Sequence, residues 1–443
     1  MGKRIRSGLL TSIIVLALAA AGCAKTGERT HAPGNSSAPA ASAEDLVVTE
    51  NVTLKLFSHF AALNTTEDVE SLFAPVMKRH PNIKIELVKG KMVELIAADE
   101  VPDLIATTNL YMNDMLVLGL GSDLSEFVKK YGVDLNKFQP EAIQALKLYG
   151  KNGELYGIPY TMNYGLLIYN KDIFNKFGVP YPKDGMKWEE IIDLSKRLTR
   201  LDGGIQYRGF DPGTEATFAR SYSLGTVDTT GKSVLNSEGY KKVFGLLVQF
   251  YSIPGYISNN NQYKFGTKGF YTDQTLAMFP TWLAAISSQL KQLKAQGREF
   301  NWDVAAHPSF DDRPGLGREV EFQSLMVPPN SKNREAAYRI IQTVVSEEAQ
   351  RSMNSENNLT ILDDPKLRAE FASKTELYKG KNLAGIFKVK PAPSPIPSEF
   401  DEKLYSFLGE ATKSMVLEKQ DINTVLRIAN EKGDKYIQSV KSQ

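Results

Sequence analysis

Residues 153–192, GELYGIPYTMNYGLLIYNKDIFNKFGVPYPKDGMKWEEII, constrain this chain more than any other stretch, because they set turn, strand, helix and stop signals in one order. Asn152 and Gly153 read as a two-residue hairpin turn, and the apolar run 165–169 reads as a buried strand. Asn170 stands where an N-cap is needed, its side-chain oxygen able to take a free N–H of the first helical turn. In the helix that follows, Lys171–Phe177, the apolar Ile173, Phe174 and Phe177 share one face. Gly178 suits the left-handed position that ends a helix, and Pro180 and Pro182 forbid its continuation. A second helix starts near Trp188.

This segment resembles the middle of the sugar-type extracellular solute-binding proteins that serve ATP-binding cassette importers. In that family a (D/N)G-x-LYG(I/L)P segment leads into YNKD-x-F-x-K-x-G(V/I)P-x-P and a tryptophan-led helix. The resemblance extends more loosely to PDLIATT at 102–108, LAMFPTW at 276–282 and VPPNSKNREAAYRIIQTVVSEEAQ at 327–350. Lys187 departs from it, standing where the family usually caps the tryptophan helix with Thr or Ser, a loss of roughly 1 kcal/mol. The resemblance implies an α/β fold of the two-lobed, type II periplasmic-binding-protein kind, each lobe a sheet flanked by helices, with the ligand cleft between them. It also implies capture of a carbohydrate, an oligosaccharide in the first instance, by hinge closure and delivery to the transmembrane subunits of a permease. No catalysis and no cofactor are expected. The discontinuous lobes are expected at 47–160 with 306–354 and at 161–305 with 355–443.

The amino terminus points the same way. Lys3, Arg4 and Arg6 precede an apolar stretch at 9–21 that closes on Ala20, Ala21, Gly22 and Cys23. That stretch is well short of the ~20 residues needed to span a bilayer. It resembles a lipoprotein signal, with residues 1–22 removed, Cys23 as the lipid attachment and the body held on the outer face of the cytoplasmic membrane. Cys23 is the only cysteine, so neither an internal disulfide nor a thiolate metal cage is available. Residues 23–46, rich in Ala, Ser, Gly, Pro and Thr, read as a tether with a reach of roughly 25 Å. The net charge of +2 gives no basic footprint for nucleic acid. A monomer is expected.

The body opens with alternating Val52, Leu54 and Leu56, a helix capped by Thr65 or Thr66 and kinked at Pro75, alternating Ile83, Ile85 and Leu87, and a third strand at 103–107. This alternation predicts parallel sheets covered on both faces. Further helices are expected at 237–251, 282–295, 332–345 and 422–440, with an extended Pro-rich crossing at 391–398. The chain is expected to cross between lobes near 160–165, 301–322 and beyond 354.

Ligands of open α/β sheets sit beyond the carboxyl ends of the strands, and this rule selects the candidate residues. In the first lobe and at the crossings they are His59, Asn64, Asn109, Tyr111, Tyr160, Asn163, Tyr164 and Gln323, with Thr108 and Glu321 beside them. In the second lobe they are Asp211, Tyr222 and Trp282. Aromatic faces take the C–H patch of a pyranose, and amides and carboxylates take its hydroxyl rim. Trp282 leads the set; Trp188 reads as core and Trp302 as packing.

Two other readings remain open at this level. A glycoside hydrolase needs only a carboxylate pair, which 51 acidic residues could supply, yet no GxSxG, HExxH or GxxxxGK(S/T) motif is present. A binder of a metal, anion or polyamine on the same fold is the other; the four histidines at 31, 59, 80 and 307 show no metal-ligand spacing, and no metal residues are assigned.

Overall fold

The computed structural model describes residues 51–60 and 63–442. The signal segment, Cys23 and the tether lie outside the described residues. Twelve strands are described: β1 (Val52–Ser58), β2 (Ile83–Val88), β3 (Leu104–Thr108), β4 (Ile158–Asn163), β5 (Gly165–Asn170) and β6 (Arg200–Asp202), then β7 (Ile205–Phe210), β8 (Leu276–Trp282), β9 (Trp302–Ala306), β10 (Leu316–Glu319), β11 (Glu321–Met326) and β12 (Lys390–Ala392). They form one five-stranded sheet in the order β2-β1-β3-β11-β4, a second in the order β6-β7-β8-β5-β9, and a small pair, β10-β12.

β1 lies parallel to β2 and β3, and β7 to β8, as the strand and helix alternation predicts. Neither large sheet is parallel throughout. β11 runs antiparallel to β3 and β4, and β5 antiparallel to β8 and β9. The reason is connectivity: β11 enters the first sheet from the other lobe rather than through a crossover helix of its own.

β5 explains why its sequence is apolar without interruption. Leu166 and Ile168 pack into one core cluster while Leu167 and Tyr169 pack into another on the opposite face, so the strand is covered on both sides. The helix after it forms for the reasons read from the sequence. Asn170 Oδ1 accepts from the N–H groups of Asp172 and Ile173 at 3.0 and 3.4 Å, and Gly178 takes a φ of 62°. At the next helix, Trp188–Leu198, Lys187 provides no side-chain cap, but half of a capping box survives because its N–H donates to the Glu190 carboxylate at 2.8 Å. Trp188 is buried against Phe218 and Phe210, a core residue. Trp302 is buried beside Tyr378 with the Lys381 ammonium over its ring.

One local expectation changes. Asn152 and Gly153 are not a hairpin, since helix Pro140–Leu146 precedes them; instead Asn152 donates to the Glu154 carboxylate from its N–H and its amide at 2.8 and 3.0 Å. Helix Thr66–Arg79 runs through Pro75 in a single span, started by a capping box in which Thr65 and Asp68 exchange hydrogen bonds.

The chain passes from the first sheet to the second between Asn163 and Gly165, leaves the second after Ala306, and re-enters the first at Glu321 by way of β10, which pairs with β12 alone. β4 therefore stays in the first sheet past residue 160. The third passage comes later than 354. Thr360 and Leu362 still bridge to Thr161 and Phe138 of the first lobe. Farther on, Asn382 is fixed to the second lobe: its N–H donates to Asp303 at 2.9 Å and its amide to Asp184 at 3.0 Å. Asp184 also accepts from Ala306 N–H and Lys388 Nζ, each at 3.0 Å.

Candidate functional site

Trp282 ends β8 and occupies the N-cap position of helix Leu283–Ala295, half-buried. Its partner on β5 is Gly165. The next two N–H groups of the helix are met by the first crossing: Leu283 donates to the Tyr164 carbonyl at 2.9 Å and Ala284 to Asn163 Oδ1 at 3.0 Å. Thus a residue at the end of a first-lobe strand caps a second-lobe helix. The amide nitrogen of Asn163 donates to Glu321 at 2.7 Å, so both crossings are tied together beside the indole.

Around this junction lies a charged cluster that strand-end reasoning did not select. The Arg318 guanidinium sits 3.9 Å from the centre of the Trp282 ring. Glu319, 1% exposed, pairs with Arg220 at 3.2 Å and with Arg318 at 3.5 Å. The signal for it was present in the sequence: the run Arg318, Glu319, Glu321 puts charge into strands whose neighbours are apolar. Burial lowers the Arg318 pKa against the pull of Glu319 and Glu321. Burial would lower the Arg220 value too, but Tyr405, Glu319 and Tyr149 outweigh it and hold it above the usual range.

Burial pushes Glu321 from 4.5 up to about 7, with Arg318 opposing the shift. A carboxyl whose folded pKa is raised stabilises the native state fully below its unfolded value and loses that contribution as pH rises through the folded one. Glu321→Gln is therefore expected to flatten the fall in stability between pH 4.5 and about 7, by no more than ~3 kcal/mol, in urea melts taken across that range.

On the first-lobe side, the His59 and Tyr111 rings lie 4.7 Å apart, with Tyr111 45% exposed. Burial lowers the His59 pKa while Asp114 raises it, which favours a neutral imidazole. A cavity of about 350 Å³ opens between Phe60, Leu63, Asp68 and Gln323 of the first lobe and Ser287 and Lys291 of the second. That size is within the range of small-molecule sites. Asn64 lies next to its wall, exposed, with its N–H on Asp68.

The structure thus gathers Trp282, Asn163 and Glu321 at the crossings, Gln323 at the cavity, and His59 with Tyr111 at the end of the first sheet. Asn163, Glu321 and Gln323 are nonetheless buried, and the other candidates are turned inward as well. Tyr160 is fully buried and donates to Gln323 Oε1 at 3.0 Å. Asn109 spends its amide on Val320 and Phe322, at 3.1 and 3.0 Å, holding the return crossing. Tyr164 is buried with its ring against Phe387. Asp211, with no exposure, accepts from the N–H groups of Gly213, Phe265 and Gly266. Tyr222 donates to Asp312 at 2.6 Å beneath the Arg313 guanidinium. Polar side chains at the strand ends must also satisfy the loops that surround them, which is what turns these inward. Tyr160→Phe is accordingly expected to cost about 1 kcal/mol in a urea melt, the worth of one neutral hydrogen bond.

Residues 62–351 match the family model of bacterial extracellular solute-binding proteins. The chain belongs to that family. A stretch of 174 residues in this solute-binding protein is 28% identical to the arabinooligosaccharide-binding protein of Bacillus subtilis, covering 36% of the chain and 39% of that relative. The match thus spans well under half of the curated relative. An ABC substrate-binding protein from Listeria monocytogenes, solved with cycloalternan, is similar over 87% of this chain and 99% of its own, with a TM-score of 0.69 and 17% identity. A sugar transporter protein from Rhizobium etli in an open conformation is similar over 87% and 99%, with a TM-score of 0.67 and 21% identity. At these identities the likeness establishes the two-lobed α/β fold. Among the described residues, no helix of the solute-binding protein is long and apolar enough to cross a membrane. No group of three or more His, Cys, Asp or Glu among them could hold a metal ion.

Proposed function

We propose that this solute-binding protein captures an oligosaccharide at the junction of its lobes, closes on it, and hands it to the transmembrane subunits of an ABC permease. The observation that carries this reading is the joining of an aromatic platform, Trp282, to the polar groups Asn163 and Glu321 where the chain crosses between lobes. An indole packs on sugar C–H groups, and amide and carboxyl groups serve the hydroxyls. The name of the Bacillus subtilis relative, an arabinooligosaccharide-binding protein, and the cycloalternan bound to the Listeria protein support this ligand class. A ligand that touches both lobes favours their closed arrangement by its differential affinity for the two states. The monomeric body is held to the outer face of the membrane by lipid on Cys23. Cys23→Ala is expected to release it into the medium, read by detergent phase partition.

A thermal-shift screen with arabino-oligosaccharides and other oligosaccharides tests the reading, with metals, phosphate and polyamines as contrast sets. A sugar at 100 times its dissociation constant adds about 2.7 kcal/mol of stability. A sugar response together with a smaller radius of gyration by solution scattering supports capture by closure. Silence from all sugars with a response to a contrast solute overturns the ligand class, and an unchanged radius at saturation overturns closure.

A further inference from the structure

Gly165 and Trp282 are register partners on β5 and β8. A Cβ at Gly165 would meet the Arg318 side chain at 2.2 to 3.0 Å, so the missing side chain forms a slot that the aliphatic stem of Arg318 fills. The slot delivers the guanidinium to the indole, 3.9 Å from the ring centre. This cover is loosely held by its polar partners. The closest hydrogen-bond acceptor of Arg318 is Thr217 Oγ1 at 3.4 Å, and Nε, 3.5 Å from Glu319, makes no hydrogen bond. Both distances exceed the usual N–H···O range.

Glu321 is the second carboxyl that Arg318 faces, 5% exposed and hydrogen-bonded to Asn163. We propose that Arg318 is a displaceable cover on Trp282, drawn off the indole toward Glu321 when that carboxyl is ionised, so that a proton sets access to the aromatic face. The charged groups around Glu321 are Arg318 and Glu319 on β10 and Arg220 on helix Glu215–Ser221. His307, which faces Arg318 after β9, is held neutral, its pKa pushed down to about 3 by burial and by Arg318. With Glu321 protonated, Glu319 is shared between two guanidiniums and the indole takes the excess cation. With Glu321 ionised, a buried carboxylate competes for Arg318 in a medium where such attraction is strong. The step near pH 7 follows from the raised pKa of Glu321.

The consequence for sugar access rests on the proposed role of Trp282, whereas the cover itself can be tested without sugar. Tryptophan emission of the wild-type protein is titrated from about pH 5 to about pH 9 alongside Trp282→Phe, Glu321→Gln and Arg318→Met. A single step near pH 7 is expected in the wild type and is lost in all three variants. Arg318→Lys, which keeps the charge without the planar stack, is expected to emit at low pH as the wild type does at high pH, and it stands in for Arg318→Met if that variant does not fold. A wild-type titration without a step, or a step that survives Glu321→Gln or Arg318→Met, overturns the proposal. If the step occurs but no sugar binds at any pH, the cover stands and the sugar reading fails.

Discussion

Trp282→Ala is expected to weaken saccharide binding by more than tenfold, at least about 1.4 kcal/mol, in titration calorimetry. The expectation rests on position. The indole is half-buried at the end of β8, and a stack against sugar C–H groups draws on a large, rigid aromatic area. The N-cap contribution of Trp282 comes from its backbone, since it makes no side-chain cap hydrogen bond, so alanine leaves the helix start intact. The protein loses the contact with Arg318, a cation–π interaction of about 0.5 to 2 kcal/mol, which leaves it folded. An unchanged affinity would remove Trp282 from the site.

Asp211→Ala is expected to do the reverse: a loss of roughly 2 to 4 kcal/mol in urea unfolding with sugar affinity retained by the folded fraction. Asp211 is fully buried and gathers three backbone N–H groups, those of Gly213 in its own turn and of Phe265 and Gly266 in a distant loop. Alanine leaves these donors without an acceptor, and the loop at 265–266 then relaxes toward water to recover part of the cost. A large drop in affinity without a drop in stability would place Asp211 among the ligand contacts instead.

What the sequence made legible follows from the range over which each signal acts. The Asn170 cap, the Gly178 stop and the strand at 165–169 depend on neighbours within a few residues, and all three appear in the structure. The capping of helix Leu283–Ala295 by Asn163 and Tyr164 joins segments far apart in the chain and leaves no periodic trace. The same holds for Arg318. Its importance lies in the space left by Gly165, and a glycine after Tyr164 reads from sequence only as the start of a strand. Antiparallel pairing of β11 was missed because alternation of strands and helices reports local order, not the direction from which a returning chain enters a sheet.

The two crossings have a mechanical consequence. β4 and β11 are hydrogen-bonded neighbours, with Glu321 registered on Asn163 just where both chains leave the first sheet. Two links joined edge to edge behave as a flat ribbon, a leaf spring, rather than as a pair of loose threads. Such a spring flexes across its broad face and resists twisting and sliding along its width. If the lobes close as proposed, such a link would guide them along one arc and bring their rims back to the same register each time.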